Sequence, residues 1–120
     1  MSRKLAPLSV VATLMAGTTM ADVPNVVADI APVHSLISRV MDGVGTPSLI
    51  LPPGASPHEY SLRPSEAAAL QNADIVIWMG ADLAPWMGDA VETLAKDAGQ
   101  LVLLEADETH LLEFREGALF

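Results

Sequence analysis

Cysteine is absent from this sequence. Without thiols there is no disulfide framework, no thiolate metal site, no cysteine nucleophile and no lipidated cysteine anchor. Positive charge is scarce: 6 Lys and Arg stand against 15 Asp and Glu, and with His neutral the net charge is −9. A chain that releases counterions from phosphates needs the opposite balance, which argues against nucleic-acid binding. Enzyme signatures are missing as well. There is no G-x-S-x-G elbow, no P-loop, no G-x-G-x-x-G and no H-E-x-x-H. His58-Glu59 begins like the last of these, but no second histidine follows at the required spacing. What is present is a 120-residue chain that is 51% hydrophobic, enough for one ordinary domain and too apolar for a disordered acidic tail.

The first 21 residues read as a leader. Met1-Ser2-Arg3-Lys4 is a short basic start, followed by the apolar run LAPLSVVATLMAG at residues 5–17. Thirteen residues fall short of the ~20 that span a bilayer as a helix. Thr19 and Ala21 put small side chains at −3 and −1 ahead of Asp22, the pattern of a secretory signal peptide. The expectation is an exported, periplasmic chain starting at Asp22, with no stable membrane insertion.

From Asp22 onward the sequence alternates apolar runs and helical patterns. Val26 to Ile30 reads as a strand, and Val33, Leu36, Ile37, Val40 and Met41 recur at helical spacing up to Gly43. Ser48-Leu49-Ile50-Leu51 is a second short strand, closed by Pro52-Pro53-Gly54. After a polar stretch, Pro64-Ser65 opens an alanine-rich helix through Gln71, with Asn72 as its end. Residues 74–79 form the third strand, Pro85 or Trp86 starts a helix ended by Gly99, and residues 101–104 form the fourth strand. Runs that are apolar throughout, alternating with helices, predict an α/β fold: an open, mostly parallel four-stranded sheet flanked by helices. The closing run Leu111-Leu112-Glu113-Phe114-Arg115-Glu116-Gly117 leaves the fourth strand without a closing element, and a truncated chain is expected.

In such sheets ligands bind beyond the carboxyl ends of the strands. Three loops leave those ends: Ala31-Pro32-Val33-His34, residues 52–63, and residues 80–85. The second carries Ser56-Pro57-His58-Glu59-Tyr60, where a proline-stiffened backbone presents an imidazole suited to metal. By residue type alone, His58 is either a metal ligand or a solvated loop histidine. His34 reads as a surface residue of a first helical turn, His110 as part of a solvated acidic segment, and Glu59 as a ligand or a water-facing acid. Trp78, Met79, Trp86 and Met87 straddle the end of the third strand. Core packing is their default, with Trp86 the one placed to wall a cleft.

The run Leu51-Pro52-Pro53-Gly54-Ala55-Ser56-Pro57-His58-Glu59-Tyr60-Ser61-Leu62-Arg63-Pro64-Ser65-Glu66, continued through residues 67–80, resembles the periplasmic zinc-binding proteins of high-affinity zinc ABC importers, the ZnuA family. The opening segment at residues 26–36 and the closing segment at 111–117 look alike too. The resemblance implies two α/β lobes joined by a long rigid helix, with the metal in the cleft between them. Residues 22–120 are then the N-terminal lobe, cut before the linking helix and second lobe. His58 matches the first histidine ligand, and the remaining ligands come from later in the family's chain.

The function so implied is capture of zinc, bound as cargo, and its delivery to an ABC-type membrane permease, with no enzymatic step. A manganese or iron receptor of the same superfamily is the alternative. Manganese sites favour carboxylate oxygen and zinc sites imidazole nitrogen, but the ligands that make that choice are not in this sequence, so manganese ranks below zinc on the zinc-like wording around His58 alone. From other classes, a metal-dependent hydrolase fragment needs a second catalytic residue on the strand-end loops, and an adhesin-like interaction lobe predicts no effect of His58→Ala on metal uptake.

Overall fold

The computed structural model describes residues 21–113 and Gly117. The leader expected over residues 1–21 falls, apart from Ala21, outside the described residues, as do residues 114–116 of the closing run. Four strands, β1 (Val26–Ala28), β2 (Ser48–Leu49), β3 (Ile75–Trp78) and β4 (Gly99–Val102), alternate with three helices, α1 (Ala31–Val40), α2 (Pro64–Gln71) and α3 (Pro85–Leu94). The strand order is β2-β1-β3-β4 and every pairing is parallel. The expected open, parallel α/β sheet is therefore the fold. Among the described residues no helix is long and apolar enough to cross a membrane.

Strand side chains alternate between two apolar layers because the pleat has a period of two. Val27, Val76 and Trp78 face one layer, where they pack with Leu70 of α2 and Met87 and Val91 of α3. Val26 and Ala28 face the other, against Val33, Ile37 and Met41 of α1 and its end. Both sheet faces are thus apolar, which is why the strands read as continuous runs instead of alternating ones.

Several boundaries differ from the sequence expectation: β1 ends at Ala28 and not at Ile30, and β3 covers Ile75–Trp78, one residue shorter at each end. β2 pairs over two residues only, although the Ile50 and Leu51 N–H groups still donate to the carbonyls of Ala28 and Asp29, both at 2.9 Å. α3 ends at Leu94, not at Gly99, because Ala98 turns back onto the Ala95 carbonyl. Gly99 opens β4 instead, its N–H donating to the Asp74 carbonyl and its position in register with Ile75. Residues 103 and 104, read as strand, belong to a 3-10 turn, Leu103–Glu105; the ladder ends at the pair of Trp78 with Val102, although the Leu104 N–H still donates to the Met79 carbonyl at 3.0 Å.

The helical stripe on α1 is only half used. Val33 and Ile37 are buried, whereas Leu36 and Val40 are 64% and 84% exposed. They border an apolar groove of about 490 Å³ floored by Val26, Ile75, Ile77 and Leu101. Among the described residues a single helix packs on this face, too narrow to cover four strands.

Gly80, just past β3, has φ +132°, and a Cβ there would lie 3.2 Å from Val102 Cγ1. Gly80→Ala is expected to destabilise the chain by about 2 kcal/mol through backbone strain. Thermal unfolding of the pair checks this, and an unchanged midpoint contradicts it.

Candidate functional site

The carboxyl ends of β1 and β3 are neighbours, yet α1 leaves toward one face and α3 toward the other. This is the switch point at which open parallel sheets form a crevice. Two loops converge there. After β2, Ala55 N–H closes onto the Pro52 carbonyl at 3.1 Å, with Pro53 and Gly54 (φ +86°) in the central positions, the pattern of a type II turn. After β3, the N–H groups of Leu83 and Ala84 return to the Gly80 carbonyl, and Pro85 starts α3 with its φ already helical.

Trp86 joins the two loops. Its indole Nε1–H donates to the Pro57 carbonyl at 2.7 Å. A loop from the edge strand β2 thus reaches a helix that leaves β3, two places across the sheet. The Trp86 ring also packs on Tyr60, with centroids 5.6 Å apart and planes tilted by 53°. The Tyr60 hydroxyl lies 2.8 and 3.0 Å from the two carboxylate oxygens of Glu66 and donates its proton there. Arg63 completes the network: its backbone N–H donates to Glu66 Oε2 at 2.8 Å, and Nε and Nη2 reach Oε1 at 2.9 and 2.8 Å. The glutamate at the third position of α2 thereby caps its own helix start.

Burial by itself raises the Glu66 carboxyl, but the Arg63 N–H, the Tyr60 hydroxyl and the Arg63 guanidinium outweigh it and hold it below its ordinary value. The Tyr60 phenol is raised by burial and by the Glu66 carboxylate beside it.

His58 and Glu59 sit at the top of this loop and are both exposed. The other histidines stand elsewhere. His34, on α1, is half-buried, and its Nε2 lies 3.1 Å from the Pro47 carbonyl. A carbonyl only accepts, so Nε2 carries the proton and is spent on tying α1 to the approach to β2. His110 is exposed beyond the 3-10 turn. Among the described residues no three His, Asp or Glu side chains are grouped to hold a metal ion. Trp78 and Met87 are core residues, and Trp86 is the member of that cluster at the cleft.

Sequence reasoning missed Asp29. It stood inside an apolar run and was read as strand, yet β1 stops at Ala28 and Asp29 is fully buried. Its carboxylate accepts from Ile30 N–H at 2.8 Å and from Met79 N–H at 2.9 Å, so it links the ends of β1 and β3. Burial raises its carboxyl above the ordinary value, and the N–H donors offset only part of that. The Glu66 network had a signal, since Arg63-Pro64-Ser65-Glu66 places Pro at the first position and Glu at the third.

The apolar groove under α1 offers no imidazole or carboxylate among the described residues that line it, so that lining has no donor for a metal.

Known proteins resemble this chain over part of its length. The High-affinity zinc uptake system protein ZnuA of Paracoccus denitrificans is 44% identical over 78 residues, covering 62% of this chain and 24% of the relative. The protein of that name from Brucella abortus is 48% identical over 56 residues, covering 47% and 17%. The chain therefore spans a quarter or less of the length of these curated relatives. Among solved structures, a Mn-bound periplasmic metal binding protein from Candidatus Liberibacter asiaticus superposes with TM-score 0.66 at 17% identity, covering 79% of this chain and 35% of the other. Zn(II)-bound AdcA from Streptococcus pneumoniae superposes with TM-score 0.56 at 24% identity, covering 66% and 17%. At those identities the structural likeness establishes the fold. The sequence model of the zinc-uptake complex component A family, described as periplasmic, matches residues 26–117, and the chain belongs to that family.

Proposed function

We propose that the chain is the N-terminal lobe of a periplasmic zinc receptor, and that His58 donates an imidazole nitrogen to the zinc it carries. The observation behind this is the placement of an exposed imidazole on a tied-down loop at the switch point of the sheet. A parallel sheet directs its loops and helix starts at that edge, and imidazole is a preferred zinc donor. Zinc is cargo here: it is bound, carried and released to an ABC-type permease without any bond of the protein being made or broken. In this reading the further donors are supplied by a linking helix and a second lobe of the receptor. Residues 1–21 act as the leader that directs export.

The test compares three variants in one assay. Residues 22–117 are joined to the remaining part of the Paracoccus denitrificans relative, and zinc affinity is measured by chelator competition. His58→Ala is expected to weaken binding ~100-fold, at the upper end of what losing even an indirect partner of a ligand costs. His34→Ala and Glu59→Ala change it only a few-fold, because one imidazole is spent on Pro47 and the other side chain faces water. Equal losses for His34→Ala and His58→Ala contradict the assignment. Acid weakens the wild-type complex, since a protonated imidazole has no lone pair to donate.

A further inference from the structure

We infer that Trp86 is a positioning residue that holds the His58 loop in its metal-binding form before any metal arrives. This rests on His58 being the zinc donor.

Among the described residues no hydrogen bond reaches the His58 imidazole, so its place is inherited from the loop backbone. Residues 50–63 contain no helix or strand that could fix that backbone. Trp86 supplies the constraint on both sides of His58. One residue before it, the Pro57 carbonyl takes the indole N–H at 2.7 Å. Two residues after it, the Tyr60 ring packs on the indole. Tyr60 is anchored in turn on Glu66, which Arg63 grips through backbone and side chain. The indole itself starts from a fixed point, the second residue of a helix whose entry is set by the Gly80 turn and Pro85.

A role in core packing alone does not account for this geometry. Trp78 is the core tryptophan: it is 5% exposed and its Nε1 has no partner among the described residues. Trp86 is half-buried and directs its only polar atom at the loop. A loop ordered in advance binds without the conformational loss of being ordered by the ligand. The expected benefit is of the size seen for groups that orient a metal ligand without touching metal, 10- to 100-fold in affinity.

The experiment uses the isotopically labelled 120-residue chain without metal, then with zinc sulfate. In the wild type, backbone order parameters at residues 58–60 match rigid backbone, about 0.85. Trp86→Phe keeps a ring against Tyr60 and removes only the donor. It is expected to lower those order parameters toward ~0.6. Amide-exchange protection across β1 and β3 stays unchanged, and zinc affinity, read from the His58 ring resonances, drops roughly tenfold. If Trp86→Phe fails to fold, Tyr60→Phe cuts the anchor to Glu66 and carries the same prediction. A loop already mobile in the wild type overturns the inference. So does a loosened loop with unchanged zinc affinity. His58→Ala in the same titration separates the two readings: zinc-induced shifts that survive it defeat the assignment of His58, while the order parameters still report on the role of Trp86.

Discussion

Titrated with zinc at neutral pH against a competing chelator, the 120-residue chain by itself gives a dissociation constant of ~1 mM, far weaker than a receptor that scavenges metal. The reason is donor count. A complete structural zinc site is worth about 10–16 kcal/mol at pH 7, and it uses four donors where a partly open one uses three. A single imidazole contributes on the order of a quarter of that, and about 4 kcal/mol corresponds to millimolar affinity. His58 is the histidine at the cleft among the described residues, His34 is spent on the Pro47 carbonyl, and no three His, Asp or Glu are grouped among the described residues. Joining the chain to the remaining donors is expected to restore nanomolar or tighter binding, a gain of about a millionfold. Micromolar binding by the chain alone contradicts this reading. Sedimentation then distinguishes its two causes: zinc-dependent dimers mean a site shared between chains, and a monomer means that a second histidine reaches His58.

Asp29→Ala is expected to destabilise the fold by about 3 kcal/mol. The substitution leaves the N–H groups of Ile30 and Met79 without their acceptor, and an unsatisfied donor costs about 1–3 kcal/mol. It also severs the side-chain link between the ends of β1 and β3, beside which the loop after β3 begins. Asp29→Asn retains one acceptor oxygen and loses roughly half as much. The pH dependence has a definite sign. Because burial raises the Asp29 carboxyl, the folded chain holds its proton more tightly than the unfolded one. Its contribution is fully present below pH 3.8, the unfolded value, and is lost as pH rises through the folded value. Glu66 runs the other way. Its lowered carboxyl contributes above 4.5 and loses that contribution as pH falls through the folded value. Urea unfolding of wild type and Asp29→Asn at a series of pH values reads this directly. The variant is expected to lack the decline above pH 3.8, and parallel curves for the two proteins sink the assignment.

Much of the fold was legible because its signals are local. Pro32, Pro64 and Pro85 stand in the first turn of the three helices, and apolar runs mark the strands in the right order. The boundary errors came from partners that local patterns do not contain. Leu103 and Leu104 are as apolar as any strand, but the ladder stops at Trp78 with Val102 and the chain bends there into a 3-10 turn, keeping one bond from the Leu104 N–H to the Met79 carbonyl. Leu36 and Val40 repeat at core spacing, and only the geometry of one helix on a four-stranded sheet leaves them open. That His58 stands on a proline-rich loop beyond β2 was legible, and the structure leaves that side chain exposed. The supports around it were less legible: Trp86 and Pro57 are 29 residues apart, and Asp29 and Met79 are 50 apart. No periodicity encodes such pairs. A buried carboxylate inside an apolar run is itself a signal, because such a charge is tolerated only with donors to meet it.

The strand order also governs what happens while the chain is being made. Every neighbour in the sheet is parallel, so no hairpin can start it. β1 emerges first, and its flank toward β3 stays bare until contacts such as Asn25 with Asp74, 49 residues away, can close. β2 arrives sooner but offers only two paired residues. At ribosomal speeds of about 5–20 residues per second, that interval lasts several seconds. Throughout it the nascent polypeptide remains a thread, free to be held or drawn through a narrow opening before a sheet exists to stop it.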